Sequence, residues 1–243
     1  MHQEYIPDRA LFIYAHPDDI EFSVAGTAAK WARYGSDIMY VVITDGNVGS
    51  HEKGMTRESV AAMRRQEQTN AAAVAGVEKC EFLGYHDGLL EPSLALRKDL
   101  VRYIRIHRPN VVVTGDPTRF FPSDSYINHP DHRAAAVAAI DAVFPAAEMN
   151  LLYPDFFEEG LLGHKPNFVL ISHAQEPNFY VDITETIEIK IEALRQHVSQ
   201  LGEWDPEPRI REWSATVGKQ VGFRHAEAYR RITLRELPSD EEE

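Results

Sequence analysis

The sequence predicts an α/β domain with a mostly parallel sheet, and three observations carry that prediction. Short apolar runs alternate with longer Ala-rich or amphipathic segments, the rhythm of strands joined by right-handed helical crossovers. Runs such as Ala10-Leu11-Phe12-Ile13-Tyr14 and Asn110-Val111-Val112-Val113-Thr114 are apolar without interruption, as strands covered on both faces are. Histidines and carboxylates then follow two of these runs, as His16-Pro17-Asp18-Asp19 and as His129-Pro130-Asp131-His132. In open sheets of this class, ligands bind in the crevice outside the carboxyl ends of the strands. The expected fold is therefore Rossmann-like, with helices on both faces.

Each element has its own signal. Ala10–Ala15 reads as the first strand, and Val24–Tyr34 as a helix that stops at Gly35. Asp37–Thr44 is a second strand, ending in the polar, Gly-containing loop 45–51. Thr56–Ala75 is a long Ala-rich helix closed by Gly76, and Lys79–Leu83 a short strand. Leu94–His107 reads as a helix and Asn110–Thr114 as a strand; a Pro- and Ser-containing loop then runs from Asp116 to Asn128. An Ala-rich helix spans about Pro130 to Val143. Beyond Pro145 the pattern weakens into an elaborated C-terminal region. There Phe168–Ser172 and Asn178–Val181 suggest strands, and Thr184–Gln200 an amphipathic helix. Trp204–Pro208 reads as a loop, with a further helix from Arg209. No repeat, linker or shift in composition divides the chain, so residues 1–243 are expected to form one domain.

Composition narrows the function. The hydrophobic share of 44% and charged share of 26% are those of a soluble globular protein. No apolar run reaches the roughly 18 residues that span a bilayer, and the N-terminus lacks a basic and apolar leader. Cys80 is the single cysteine, which excludes an internal disulfide and a cysteine-rich zinc site. A cytoplasmic enzyme is the economical expectation. A net charge of −13 argues against nucleic acid and anionic membranes as partners. Part of that charge sits in the acidic tail 238–243, which is expected to be frayed and carries no function in this reading.

The two tetrads carry the chemistry. A catalytic divalent ion takes three protein ligands and keeps an open position. His16 and Asp19, three residues apart in a turn, can face one point, and His132 supplies a third ligand from the start of its helix. Pro17 stiffens the presentation. Asp18 then points elsewhere, placed to take a proton from metal-bound water. Ordinary turn and cap roles explain either tetrad alone, but not two related tetrads each following a strand. Asp45, Tyr126 and Asn128 lie in loops expected to rim the pocket and contact substrate. A dinucleotide site is excluded: the first turn lacks Gly-x-Gly-x-x-Gly and would set carboxylates against a pyrophosphate.

Together, Ala15-His16-Pro17-Asp18-Asp19 and His129-Pro130-Asp131-His132 resemble the zinc-dependent de-N-acetylases of the LmbE/PIG-L family. Supporting matches run from about Leu11 to Gln200. They are Gly26-Thr27, Thr44-Asp45-Gly46 with Gly49, Arg64 with Glu67, Asp87-Gly88, and Lys190, Ala193, His197, Ser199 and Gln200. The resemblance implies one zinc or other divalent ion per chain on His16, Asp19 and His132, with Asp18 as general base. It implies His129 as the partner of the oxyanion or leaving amine, oriented by Asp131, and Arg64 as a substrate contact. The implied substrate is a small N-acetylated amino sugar or sugar conjugate, such as one bearing N-acetylglucosamine, and the implied assembly a homo-oligomer, trimer or hexamer. Asn128 stands where family members vary, so substrate preference is expected to alter there. Two other readings stay open: an amidase on a larger thiol or acyl conjugate, and a non-catalytic, metal-stabilised carbohydrate-binding protein.

Overall fold

The computed structural model describes residues 5–50 and 52–236; His51 and the acidic tail lie outside the described residues. The first half of the chain follows the predicted alternation. β1 (Arg9–Tyr14) leads into two short helices, α1 (Asp19–Ser23) and α2 (Ala25–Arg33), followed by β2 (Asp37–Thr44), α3 (Arg57–Val74) and β3 (Lys79–Tyr85). Next come α4 (Leu94–His107), β4 (Val111–Thr114) and α5 (Pro130–Asp141). The C-terminal region holds α6 (Pro154–Glu158), β5 (Phe168–Ser172), β6 (Phe179–Asp182), α7 (Ile187–Arg195), α8 (Val198–Leu201), α9 (Glu207–Gly218) and β7 (Ala226–Thr233).

The helix starts are chemically marked. Thr56 and Ser59 exchange hydrogen bonds as a capping box at α3. Ser93 accepts from the Leu96 amide at α4, and Pro130 occupies the first turn of α5.

The strands form one sheet in the order β3-β2-β1-β4-β5-β7-β6. β3, β2, β1, β4 and β5 pair in parallel, and only β7 runs against its neighbours. Residues of β1 alternate between the two faces. Ala10, Phe12 and Tyr14 join Trp31, Tyr40, Ile191 and Tyr229 in one core. Leu11, Ile13 and Ala15 join Leu96, Leu100, Ile104 and Ala138 in the other, under α4 and α5. The fold is thus the single α/β domain expected, covered on both faces. None of the helices among the described residues is long and apolar enough to cross a membrane.

Three local expectations change. The predicted helix Val24–Tyr34 is preceded by a separate turn of helix, α1, because Asp18 adopts φ 99° and starts it. The predicted helix Thr184–Gln200 breaks at His197, which is fully buried with φ −85° and ψ 56°. Neither α6 nor β7 was marked by the sequence pattern. Strand order reverses direction between β1 and β4, and that switch point opens the crevice into which both tetrads project.

Candidate metal centre

His16 leaves the tip of β1 and His132 sits in the first turn of α5, yet one carboxylate touches both. Asp19 Oδ2 lies 3.4 Å from His16 Nδ1, and Asp19 Oδ1 lies 3.0 Å from His132 Nε2. The turn holds Asp19 in place because its Oδ2 also accepts the His16 backbone N–H at 2.8 Å. The outer nitrogen of each ring is already committed. His16 Nε2 faces Asp87 Oδ1 at 3.1 Å and Asp131 Oδ2 at 3.3 Å. His132 Nδ1 faces the Asn128 carboxamide oxygen at 3.1 Å. All three partners are acceptors, so the outer nitrogens carry protons; the inner nitrogens face the Asp19 carboxylate, and a cation taking their place against it would displace their protons. Orienting a ligating imidazole through its other N–H is the usual supporting arrangement at metal sites. The donor set therefore fits a divalent cation.

Electrostatics point the same way. Asp19, Asp131 and Asp87 outweigh the burial of His16, and its pKa is pushed up to about 12. Burial also opposes the charged form of His132, but Asp19 raises its pKa. Asp19, although buried, is held well below the usual carboxylate range by His132 and His16. The cluster strongly favours positive charge.

Two groupings of mutually close donor atoms among the described residues share His16, and neither includes Asp19. Nitrogens of His16, His129 and His132 lie within 4.8 Å of one another, as do donor atoms of His16, Asp87 and Asp131. In the second group the carboxylates are occupied: Asp87 accepts from the Val48 amide, and Asp131 from those of Gly88 and Leu90. Sequence reasoning gave Asp87 no role, although it stands behind the tip of β3 as the tetrads stand behind theirs.

Asp18 sits beside the centre with its side chain 15% exposed. Burial pushes its pKa up to about 6, with the Arg64 guanidinium opposing and Asp19 adding to the rise. Arg64 lies directly against Asp18. It is buried: its guanidinium donates to Asp18 Oδ2 at 3.1 Å, to the Pro17 carbonyl at 2.6 Å and to the Gly46 carbonyl at 2.9 Å. It holds the base through Nη1 and Nη2, while its buried Nε has no partner among the described residues.

The remaining predicted residues divide. His129 is about 40% exposed and meets His16 edge-on at a centroid distance of 4.8 Å. Its Nδ1 accepts the Asp131 backbone N–H at 3.2 Å, whereas the Asp131 carboxylate is 3.9 Å away and nearer His16. Asp131 thus orients His129 through the main chain and His16 through its side chain. Asp45 turns to Arg65, at 2.7 Å, rather than to the crevice. Asn128 faces His132 Nδ1 with its carboxamide oxygen and donates to the Arg119 carbonyl, so it supports a predicted ligand. Tyr126 is exposed on the loop before α5.

The model of the family described as GlcNAc-PI de-N-acetylase, PIG-L, matches residues 11–143, which contain both tetrads. The chain belongs to the PIG-L family. A diacetylchitobiose deacetylase of Thermococcus kodakarensis is 35% identical over 225 residues, 91% of this chain and 82% of the relative. A probable N-acetyl-alpha-D-glucosaminyl L-malate deacetylase 2 of Bacillus anthracis is 27% identical over 202 residues, 78% of this chain and 80% of the relative. Among solved structures, the N,N'-diacetylchitobiose deacetylase of Pyrococcus horikoshii superposes with a TM-score of 0.86 at 32% identity, covering 93% of this chain and 84% of that one. The fold is thus shared with a named deacetylase.

Proposed function

We propose that this PIG-L protein is a metal-dependent N-deacetylase acting on an N-acetylated amino sugar in a short saccharide or sugar conjugate. The observation that carries the reading is Asp19 set between the inward nitrogens of His16 and His132, with both outer nitrogens already held. His16, Asp19 and His132 are the residues that would hold one divalent ion, zinc foremost. Such an ion supplies Lewis acidity toward an amide carbonyl and toward water.

The chain's own groups account for the proton traffic. Asp18, with its pKa raised to about 6, is basic enough to take the proton of an attacking water near neutrality. Arg64 keeps that carboxylate ionised and aimed. His129 accepts the Asp131 amide at Nδ1, so its neutral ring carries the proton at Nε2, where it can donate to the developing oxyanion or the departing amine. Tyr126 offers an amphipathic surface to the sugar. The relatives' named substrates, diacetylchitobiose and an N-acetylglucosaminyl malate, support the amino-sugar class.

Asp18→Asn tests the assignment. Metal content measured by mass spectrometry is expected to stay near that of the wild type, while amine release from diacetylchitobiose falls by about 10²- to 10⁴-fold. An active Asp18→Asn enzyme would show the base to be misassigned. His16→Ala and His132→Ala are expected to empty the site, and full metal occupancy in both would remove the ligand set.

A further inference from the structure

Asp18 is one of three non-glycine residues with positive φ among those described, and it is the proposed base. A residue other than glycine in this region carries strain of about 1–3 kcal/mol unless its surroundings impose the conformation. Here the cause is visible at the Pro17–Asp18 peptide, whose two polar groups are both gripped by one helix. Arg64 Nη2 donates to the Pro17 carbonyl at 2.6 Å, and the Asp18 N–H donates to Gln68 Oε1 at 2.9 Å. Arg64 and Gln68 are four residues apart on α3, so they project from the same face one turn apart.

Gln68 is itself fixed. Its Nε2 donates to Glu21 Oε1 at 2.9 Å, and Glu21 Oε2 faces His197 Nε2 at 3.1 Å. Gln68, Glu21 and His197 are all fully buried. A backbone N–H only donates, so the Asp18 amide fixes Gln68 Oε1 toward itself and leaves Nε2 to donate to Glu21. A chain of buried contacts thus runs from the break between α7 and α8, through α1 and α3, to the backbone of the base.

We infer that Gln68, locked by Glu21 and His197, is a positioning residue that holds the Pro17–Asp18 peptide so that Asp18 and Asp19 diverge. The inference rests on the deacetylase reading, since it gives divergent tasks to these two carboxylates. Without the clamp, the peptide can rotate toward ordinary φ and carry the Asp18 carboxylate away from its place. The His16–Asp19–His132 contacts do not involve Gln68.

The test uses the full chain with zinc and diacetylchitobiose. Gln68→Met keeps the side-chain length and removes both hydrogen bonds. It is expected to lower kcat by about 10- to 100-fold, the scale of a displaced reacting group, with KM within about twofold and metal content unchanged. In the metal-free protein, amide exchange at residues 16–20 should accelerate in this variant. Gln68→Glu alone sets two carboxylates face to face and is expected to lose kcat as well. Adding Glu21→Gln restores the pair with donor and acceptor exchanged, and should bring kcat back to within about threefold of the wild type.

Wild-type kcat in Gln68→Met overturns the inference, as does a double swap no better than Gln68→Glu. Loss of stability with unchanged turnover per bound metal would make Gln68 merely structural and overturns it too. If the wild type binds no metal and releases no amine, the deacetylase reading fails instead. The exchange measurement then still reports on the clamp by itself, and unchanged exchange refutes it.

Discussion

Asp87 has one oxygen on His16 Nε2 and the other on the Val48 amide, so a strand-tip loop after β3 grips a predicted ligand after β1. Losing such an outer partner typically weakens metal binding 10- to 100-fold. Asp87→Ala is accordingly expected to lower zinc affinity, toward the small end of that range because Asp131 remains on the same nitrogen. Competition with a chromophoric chelator measures this directly, and unchanged affinity would make Asp87 irrelevant to the centre. At this scale the sequence was most informative where chemistry is contiguous. His16, Asp18, Asp19, His129 and His132 stand directly behind strand tips or at a helix start, and a strand tip can only face the crevice. For Arg64, Asp45 and Asn128, nearness to a loop does not fix direction. The docking of α3 turns Arg64 inward to Asp18 and Asp45 toward Arg65, and the start of α5 turns Asn128 onto His132.

Among the elements, α2 starts where the sequence pattern placed it, but it is capped from outside its own neighbourhood. Its N-cap residue, Val24, has no side chain able to accept, and Glu227 of β7 supplies the acceptor from the far end of the chain. Glu227 takes the amides of Gly26 at 3.0 Å and Thr27 at 2.8 Å, together with the Lys190 ammonium at 2.5 Å. A Cβ on Gly26 would lie 2.9 Å from that carboxylate and 2.8 Å from Ile183, so the glycine keeps the approach open. No local pattern could announce a cap from 200 residues away. β7 itself escaped because Ala226-Glu227-Ala228-Tyr229-Arg230-Arg231-Ile232-Thr233 contains no apolar run. Glu227→Ala strands a buried ammonium and two helix amides, and removing one member of a buried pair costs about 3–5 kcal/mol. Urea unfolding should show that loss, with Glu227→Gln intermediate because it keeps an acceptor; a midpoint unchanged in Glu227→Ala would show the pair to be dispensable.

Across the whole molecule, histidine titration follows packed surroundings at both ends of the sheet; even at the carboxyl ends, burial lowers His129 and His173. At the carboxyl ends, Asp19 and its neighbours raise His16 and His132. At the opposite ends, His107 is buried with Nε2 shared between the Ala10 and Asp37 carbonyls, each at 3.1 Å, at the starts of β1 and β2. Burial lowers the His107 pKa despite the nearby Asp37, and burial also lowers that of His164, which bonds the Pro109 carbonyl just before β4. The alternation of strands and helices was enough to place both ends of the sheet, but the titration of a histidine depends on its packed surroundings, which sequence spacing leaves open. A histidine whose folded pKa is depressed binds fewer protons in the folded than in the unfolded chain. Its contribution is therefore intact above the unfolded value of about 6.5 and is lost as pH falls from there toward the folded pKa. His107→Gln keeps an N–H donor without a titrating ring. The stability of the wild type relative to this variant should fall with decreasing pH below about 6.5, at up to about 1.4 kcal/mol per pH unit. Urea unfolding of both proteins from pH 7.5 to 5, metal-free, reads that difference while cancelling the site histidines common to the two. Parallel stability curves across this range would mean that His107 takes up protons equally in both states, and that the basal end of the sheet is not the acid-sensitive one.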